Sequence, residues 1–286
     1  MNELDWIDLL KKKTGKSKDV LVGIGDDCAQ VKTGKNKVLL KSDLFMEGVH
    51  FKKNKIDYKT LGQRAVCRVL SDFAACGGRP KFIGVSAGIP SYVKNHELDQ
   101  ILAGILFCGK KYKFSLVGGD TAKSLKLFLD IWGVGETDKF ISRKQAKVGD
   151  YIFVTGPLGQ RAFDCVFEPR IKEAQGLVKN FKVNSMIDIS DGFIIDLYRV
   201  LKDSGKGACI ERDKLPLTKG ESDLYRGEDY ELIFTVDKSE KKISYLSKKF
   251  HFIGRIKSDN FGYKMRIANE CRNISIKGYT HQLGSK

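Results

Sequence analysis

No stretch of the sequence reaches the ~18 consecutive apolar residues that a membrane-spanning helix needs, so no membrane partner is expected. The N-terminus places acids before its lysines and has no apolar stretch ending in small residues, which excludes a secretory signal. It reads instead as a short amphipathic helix with Leu4, Ile7 and Leu10 along one side. Histidine is scarce, at positions 50, 96, 251 and 281, and shows no metal-ligand spacing. The seven cysteines (28, 67, 76, 108, 165, 209 and 271) never form a C-x-x-C pair. That excludes a zinc ribbon and a disulfide framework, and fits a reducing, cytoplasmic location. No repeat, low-complexity segment, H-E-x-x-H zincin motif or protein-kinase signature occurs.

Charge is abundant and unbalanced: 51 Lys and Arg against 35 Asp and Glu leave a formal +16. The lysines are spread along the chain, without a basic–aromatic block or a zinc-finger or RRM signature, so nucleic acid is not the expected partner. A diffuse positive field still draws in polyanionic substrates.

The 286 residues suffice for two domains, each able to bury a core. Strand-like runs at 37–45, 82–89, 114–120 and 126–136 alternate with helical periodicity at 58–78 and 96–112. The charged, aperiodic stretch 137–150 marks a junction. Beyond it, strands are expected at 151–156, 184–190, 207–212, 230–236 and 251–256, with a helix over 191–205 closed by Gly205. The expected fold is mixed α/β in two domains, residues 1–137 and 138–286.

Within this frame, aspartates recur at element ends. "VLVGIGDDCAQV" (20–31) resembles a strand feeding a phosphate loop, yet Asp26 and Asp27 follow its glycines and Cys28 stands where a dinucleotide fingerprint wants a third glycine. Gly15-Lys16-Ser17 resembles the end of a P-loop, but Leu10 replaces the leading glycine. Asp43 ends the run Val38-Leu39-Leu40, Asp120 follows Gly118-Gly119, and Asp188 alternates with Met186 and Ser190 opposite Ile187 and Ile189. Taken singly, each has an ordinary reading: turn chemistry beside glycine, an N-cap at Ser190 and Asp191, or a pair between Asp72 and Arg68 four residues earlier. Taken together, carboxylates without His or Cys beside them suit a hard cation, Mg²⁺ above all, which is commonly shared with substrate phosphates.

The motifs "GIGDDCA", "SDLFMEGVHF", "LSDFAACGGRP", "LVGGDT", "ISRKQAKVGDYIFVTGPLG", "MIDISDGFIIDL", "GEDYELIFTV" and "KGYTH", in this order over residues 20–281, resemble the thiamine-monophosphate kinase family of the aminoimidazole-ribonucleotide synthetase superfamily. The resemblance implies ATP- and Mg²⁺-dependent phosphorylation of thiamine monophosphate to thiamine diphosphate. It implies several magnesium ions on Asp27, Ser42, Asp43, Asp72, Asp120, Asp188 and Asp191. ATP would meet Gly119, Asp120, Arg143 and Ser190, with Asp43, Asp120 and Arg143 catalytic. His50, Glu228 and Ile276 would lie against the thiamine substrate, and two N-terminal sheets would join in a homodimer.

The chain departs from the family pattern at three points. Ile276 replaces a usual aromatic before "KGY", Arg226 a usual glycine, and Lys41 a small polar residue beside Ser42. Among relatives, selenophosphate synthetase would need an N-terminal reactive Cys or selenocysteine with a Lys, and a hydrogenase-maturation protein a C-terminal Cys; this chain ends "HQLGSK". Aminoimidazole-ribonucleotide synthetase is the nearest enzymatic alternative, and a basic nucleic-acid-binding protein the alternative from another class.

Overall fold

The computed structural model describes residues 3–15, 17–53, 55–160 and 165–280. Lys16 and His281 from the motifs above lie outside the described residues, as does the side chain of Leu4. The first half contains helix α1 (Glu3–Lys13), strands β1 (Val20–Val22), β2 (Ala29–Thr33) and β3 (Asn36–Met46), helix α2 (Tyr58–Ala75), strand β4 (Arg79–Ile89), helix α3 (Asn95–Tyr112), and strands β5 (Ser115–Lys123) and β6 (Phe128–Glu136). Its strands form a six-stranded sheet in the order β1-β2-β3-β6-β4-β5, with β4 and β5 parallel.

Residues 137–150 carry no helix or strand. The second half contains β7 (Tyr151–Val154), α4 (Ile171–Asn180), β8 (Val183–Asp188), α5 (Phe193–Ser204), β9 (Lys206–Glu211), β10 (Leu232–Val236), α6 (Ile243–Lys249), β11 (His251–Ser258), β12 (Tyr263–Ile267) and β13 (Glu270–Asn273). These strands form a seven-stranded sheet in the order β13-β12-β9-β11-β7-β10-β8. Among the described residues, two sheets and six α-helices give the mixed α/β architecture expected from the alternation of periodicities.

Helix α2 is the hinge of the packing. Asp57 starts it in extended conformation, and its Oδ1 accepts the Thr60 N–H at 2.8 Å, meeting one of the orphan donors of the first turn. Gly62 and Gly104 let α2 and α3 cross at backbone contact: a Cβ at Gly62 would lie 2.2 Å from the Ile101 carbonyl oxygen, and one at Gly104 2.1 Å from that of Lys59. One hydrophobic cluster joins Val69, Leu70 and Phe73 of α2 to Leu39, Phe45 and Ile131 of the first sheet. The same cluster takes in Phe153, Met186 and Phe234 of the second. The two halves therefore share a core across α2. A further cluster packs α5, through Ile194, Leu197 and Leu201, behind the second sheet.

Alternation along β3 buries Leu39 and Phe45 toward α2 and exposes Leu40 and Leu44 on the other face. Phe82, Leu116 and Val117 are also exposed on this sheet.

Two expected elements are shorter than their apolar runs. The strand expected at 184–190 ends at Asp188, and that expected at 230–236 begins at Leu232. The reason is backbone conformation: Glu228 and Tyr230 have φ of 70° and 52°, outside the extended region, and leave the sheet. The N-cap expected at Ser190 and Asp191 also differs. Helix α5 starts at Phe193 behind Gly192, and Asp196 reaches back with Oδ2 to accept the N–H groups of Ser190, Asp191 and Gly192 at 3.1, 3.0 and 3.1 Å. Asp196 satisfies these donors, so the Ser190 and Asp191 side chains are released from capping.

Candidate active site

A cleft of about 1540 Å³ opens where the shared core reaches the surface, lined by elements of both sheets. This is more than the roughly 300–1000 Å³ typical of a site for one small ligand. Asp27, Asp43, Asp72, Arg143, Asp188, Ser190, Asp191, His50, Glu228 and Ile276 all line it. Residues as distant in sequence as 27 and 276 thus meet in one place.

Each side chain is delivered by simple geometry. On β3, period two puts Lys41 and Asp43 on the face of buried Leu39 and Phe45. On α2, period 3.6 stacks Arg64, Arg68 and Asp72 on one flank. Asp188 ends β8, and the loop that follows presents Ser190 and Asp191. The left-handed φ of Glu228 is a costly backbone state for a residue with a Cβ, of the kind that collects at functional sites.

Ion pairs knit these groups together, and they differ from the expected Arg68–Asp72 pair. Asp72 Oδ1 lies 3.0 Å from Lys41 Nζ. Arg68 instead donates from Nε to Asp43 Oδ2 at 2.9 Å, and from Nη1 to Glu228 Oε1 at 2.8 Å and the Tyr230 hydroxyl at 2.7 Å. Arg64, fully buried, also grips Glu228. Ser71 donates to Asp188 at 2.6 Å, and Arg199 pairs with Asp191 at 2.6 Å. Arg143 donates to the Gly25 carbonyl at 2.7 Å and lies 3.0 Å from Asp203 and 3.9 Å from Asp27. His50 accepts the Met46 N–H on Nδ1 at 3.0 Å and stacks on Phe45, at a ring separation of 5.8 Å.

The electrostatics separate two kinds of acid. Burial pushes Asp27 up to about 7, with Asp188 and Asp26 adding repulsion against the pull of Arg143. Burial likewise raises Asp72 well above the usual range, helped by Asp188, Asp43 and Asp27 and opposed by Lys41. Asp188 is raised mainly by burial, with Ser71 and Lys41 opposing. Asp43 goes the other way: burial would raise it, but Arg68 and Lys41 together hold it below the ordinary carboxylate value.

Asp27, Asp72 and Asp188 can offer carboxylate oxygens within 4.8 Å of one another. The Oδ2 of Asp27 is buried with no hydrogen-bond partner among the described residues. Three crowded acids, one with an unsatisfied oxygen, fit a hard divalent cation with oxygen ligands.

Three expected site residues lie elsewhere: Ser42, Gly119 and Asp120 are not among the described residues lining the cleft. Ser42 is on the opposite face of β3 and donates to Asp130 at 2.6 Å. Gly119 and Asp120 sit on the edge strand β5, exposed along its length. The Asp120 side chain there accepts the N–H of Thr121 at 2.8 Å. Gly119 has a local reason of its own, since a Cβ would fall 1.7 Å from the Val85 carbonyl oxygen.

Sequence reasoning did not assign Arg64, Arg68, Arg199 or Tyr230 to the site. The four-residue spacing of Arg64, Arg68 and Asp72 was the available signal for the first two. Nothing local points Arg199 at Asp191, eight residues earlier. Gly84-Val85-Ser86-Ala87-Gly88 spells the nucleophile-elbow pattern G-x-S-x-G, but it runs straight along β4, where that chemistry needs a strand-to-helix turn.

Comparison with known proteins places this geometry in context. Residues 25–137 match the family model "AIR synthase related protein, N-terminal domain". Thiamine-monophosphate kinase of Buchnera aphidicola subsp. Acyrthosiphon pisum is 35% identical, over 94% of this chain and 95% of the relative. The enzyme of the same name from Escherichia coli is 31% identical over 92% of each chain. The solved structure of AaThiL complexed with AMPPCP and TMP superposes with a TM-score of 0.83 at 28% identity, covering 98% of this chain and 97% of that one. The HypE–HypF complex structure, at 18% identity and a TM-score of 0.77, shares the fold.

Proposed function

The chain belongs to the thiamine-monophosphate kinase family, and from that premise we propose that its cleft transfers the γ-phosphoryl group of ATP directly to the phosphate of thiamine monophosphate. The protein is a thiamine-phosphate kinase, and the products are thiamine diphosphate and ADP. The observation that carries this reading is the convergence of Asp27, Asp43, Asp72, Asp188, Asp191 and Arg143 in one cleft roomy enough for two ligands.

The acceptor is itself a phosphate, whose second pKa is about 6, so the attacking oxygen is anionic at neutral pH and needs no strong base. The oxygen attacks the γ-phosphorus in line, the bond to the β-γ bridging oxygen breaks, and ADP leaves with that electron pair. The difficulty is electrostatic: unit charges ~4 Å apart repel by about 4 kcal/mol at an effective dielectric of ~20, and several such pairs meet. Mg²⁺ ions held by the cleft's carboxylates would supply charge that neutralises the two polyanions.

Asp27, Asp72 and Asp188 would hold such ions, with Asp43 and Asp191 beside them. Arg143, anchored on Gly25 and Asp203, keeps a guanidinium beside Asp27 for the nucleotide phosphates, and Ser190, freed from capping, faces the same space. Arg64 and Arg68 fix Glu228, which with His50 and Ile276 lines the part assigned to thiamine. Ile276 offers an apolar wall without ring stacking, and Tyr225 and Tyr279 line the same cleft.

Residues 1–137 would then be the ATP- and Mg²⁺-binding and dimerisation domain and residues 138–286 its C-terminal partner, acting in the cytoplasm as a homodimer. The exposed apolar side chains Leu40, Leu44, Phe82, Leu116 and Val117 of the first sheet support that contact. A second copy docked there offers a place in the reaction for Asp120, Gly119 and Ser42, which the chain's own cleft does not take in.

The test is product identification with purified protein, ATP and Mg²⁺, offering thiamine monophosphate, free thiamine or formylglycinamidine ribonucleotide. Thiamine diphosphate from the first alone is expected; product from either of the others in its place refutes the assignment. Direct transfer further requires that no label from [γ-³²P]ATP stays on the denatured protein.

A further inference from the structure

Lys41 is a cation in the cleft at a position where the family pattern has a small polar residue, and its geometry gives it a role. Its Nζ lies 3.0 Å from Asp72 Oδ1, and its side chain is only 23% exposed. The ammonium thereby faces the same acids that fit a divalent ion. Its charge acts on Asp27, Asp43 and Asp188 as well as on Asp72. An ammonium is a compact point charge with three donors and one unit of charge. It satisfies the Asp72 side of the cluster and leaves Asp27 Oδ2 buried and without a partner among the described residues.

Building on the metal reading above, we propose that Lys41 is a tethered cation that occupies the Asp72 position of the acid cluster, so that the cleft takes up one divalent ion fewer than it would with a neutral residue there. Lys41 is thus a positioning residue for this reaction: it confines divalent metal to the Asp27 side, next to Arg143. The physical basis is exclusion. A divalent ion bound at Asp72 would have to sit within a few ångströms of the ammonium, and like charges at that distance repel strongly in a buried site. It would also have to break the Lys41–Asp72 pair, leaving the ammonium without its partner.

The experiment counts ions, not turnovers. Full-length protein with AMPPCP is titrated with Mn²⁺, and free Mn²⁺ is read by electron paramagnetic resonance. Lys41→Ser and Lys41→Met are each expected to bind one more Mn²⁺ per chain than the wild type, while Lys41→Arg matches the wild type. Adding Asp72→Asn to Lys41→Ser is expected to remove the extra ion. Circular dichroism establishes that each variant is folded, and the two neutral replacements guard against the failure of either. An equal, non-zero count in wild type and both neutral variants overturns the role of Lys41 and leaves the metal reading standing. A count of zero throughout overturns both.

Discussion

Replacing Asp27 by Asn is expected to make the metal-free protein more stable and to abolish its turnover. The Asp27 side chain is 8% exposed, its Oδ2 has no hydrogen-bond partner among the described residues, and burial lifts it from 3.8 to about 7. A folded-state value above the unfolded one means that the native state holds the proton more tightly. Stability is therefore lost as pH rises from about 4 to about 7, and the loss is complete above that. Roughly three pH units at ~1.36 kcal/mol each set a ceiling of about 4 kcal/mol, and water entering at the cleft mouth reduces this to about 2–3 kcal/mol. For a large chain ~1 kcal/mol corresponds to roughly 2–4 °C, so Asp27→Asn should raise the melting temperature by about 5–10 °C at pH 8 in EDTA. The gain should shrink to a small remainder near pH 4 and vanish below it, because wild-type Asp27 is already protonated when folded and becomes so when unfolded only as pH falls through about 4. The partner left behind does not offset the gain, because Arg143 keeps Gly25 and Asp203. Differential scanning fluorimetry across pH 4–8, with EDTA or with Mg²⁺, measures all of this. Mg²⁺ should stabilise the wild type and not the variant. An unchanged melting temperature at pH 8, or an equal gain at pH 4, would refute the claim that the cluster stores repulsion for a cation.

Arg68→Met removes one guanidinium that serves Asp43, Glu228 and Tyr230, and stranding buried acids should cost about 3–5 kcal/mol, measured from urea unfolding midpoints. Asp57→Ala deletes the α2 cap and should cost about 1 kcal/mol at pH 7. Hydrogen bonding to Thr60 lowers the Asp57 carboxyl below its usual value, so the charge-dependent part of this difference is present above about pH 4 and fades as pH falls through the folded value. If two copies pair through the first sheet as proposed, Asp120→Asn and Asp72→Asn chains are expected to be inactive alone and, after mixing and subunit exchange, to recover about a quarter of wild-type activity. Random pairing makes half the dimers mixed, each with one intact site if Asp120 serves the partner's cleft. No recovery, with exchange verified by mass, would place Asp120 in its own chain's chemistry.

Much of the fold was legible because periodicity is a local property. Helices α2 and α3 and strands β3, β4 and β6 follow their apolar patterns closely. The errors fall where tertiary structure takes over. Asp196 caps α5 from inside its first turn, so a good local cap at Ser190 and Asp191 goes unused. The runs at 184–190 and 230–236 overshoot because β8 ends at Asp188 and β10 starts at Leu232, and Ser190, Glu228 and Tyr230, the last two with left-handed φ, line the cleft instead. Among the candidate site residues, Asp27, Asp43, Asp72, Asp188, Asp191, Arg143, Ser190, His50, Glu228 and Ile276 gather in one chain, whereas Ser42, Gly119 and Asp120 do not.

By itself the sequence determined the mixed α/β class and the order of motifs that marks the family; of the acids expected at element ends, Asp188 ends β8, whereas Asp43 and Asp120 lie inside β3 and β5. Class and motif order follow from residue type and short-range spacing. Only the tertiary structure decided how the charges are paired: Lys41 with Asp72, Arg68 with Asp43 and Glu228, Arg199 with Asp191. Pairing depends on distance through space and on burial. Neither can be read from a chain in which Lys41 and Asp72 are 31 positions apart and Arg68 and Glu228 are 160 apart.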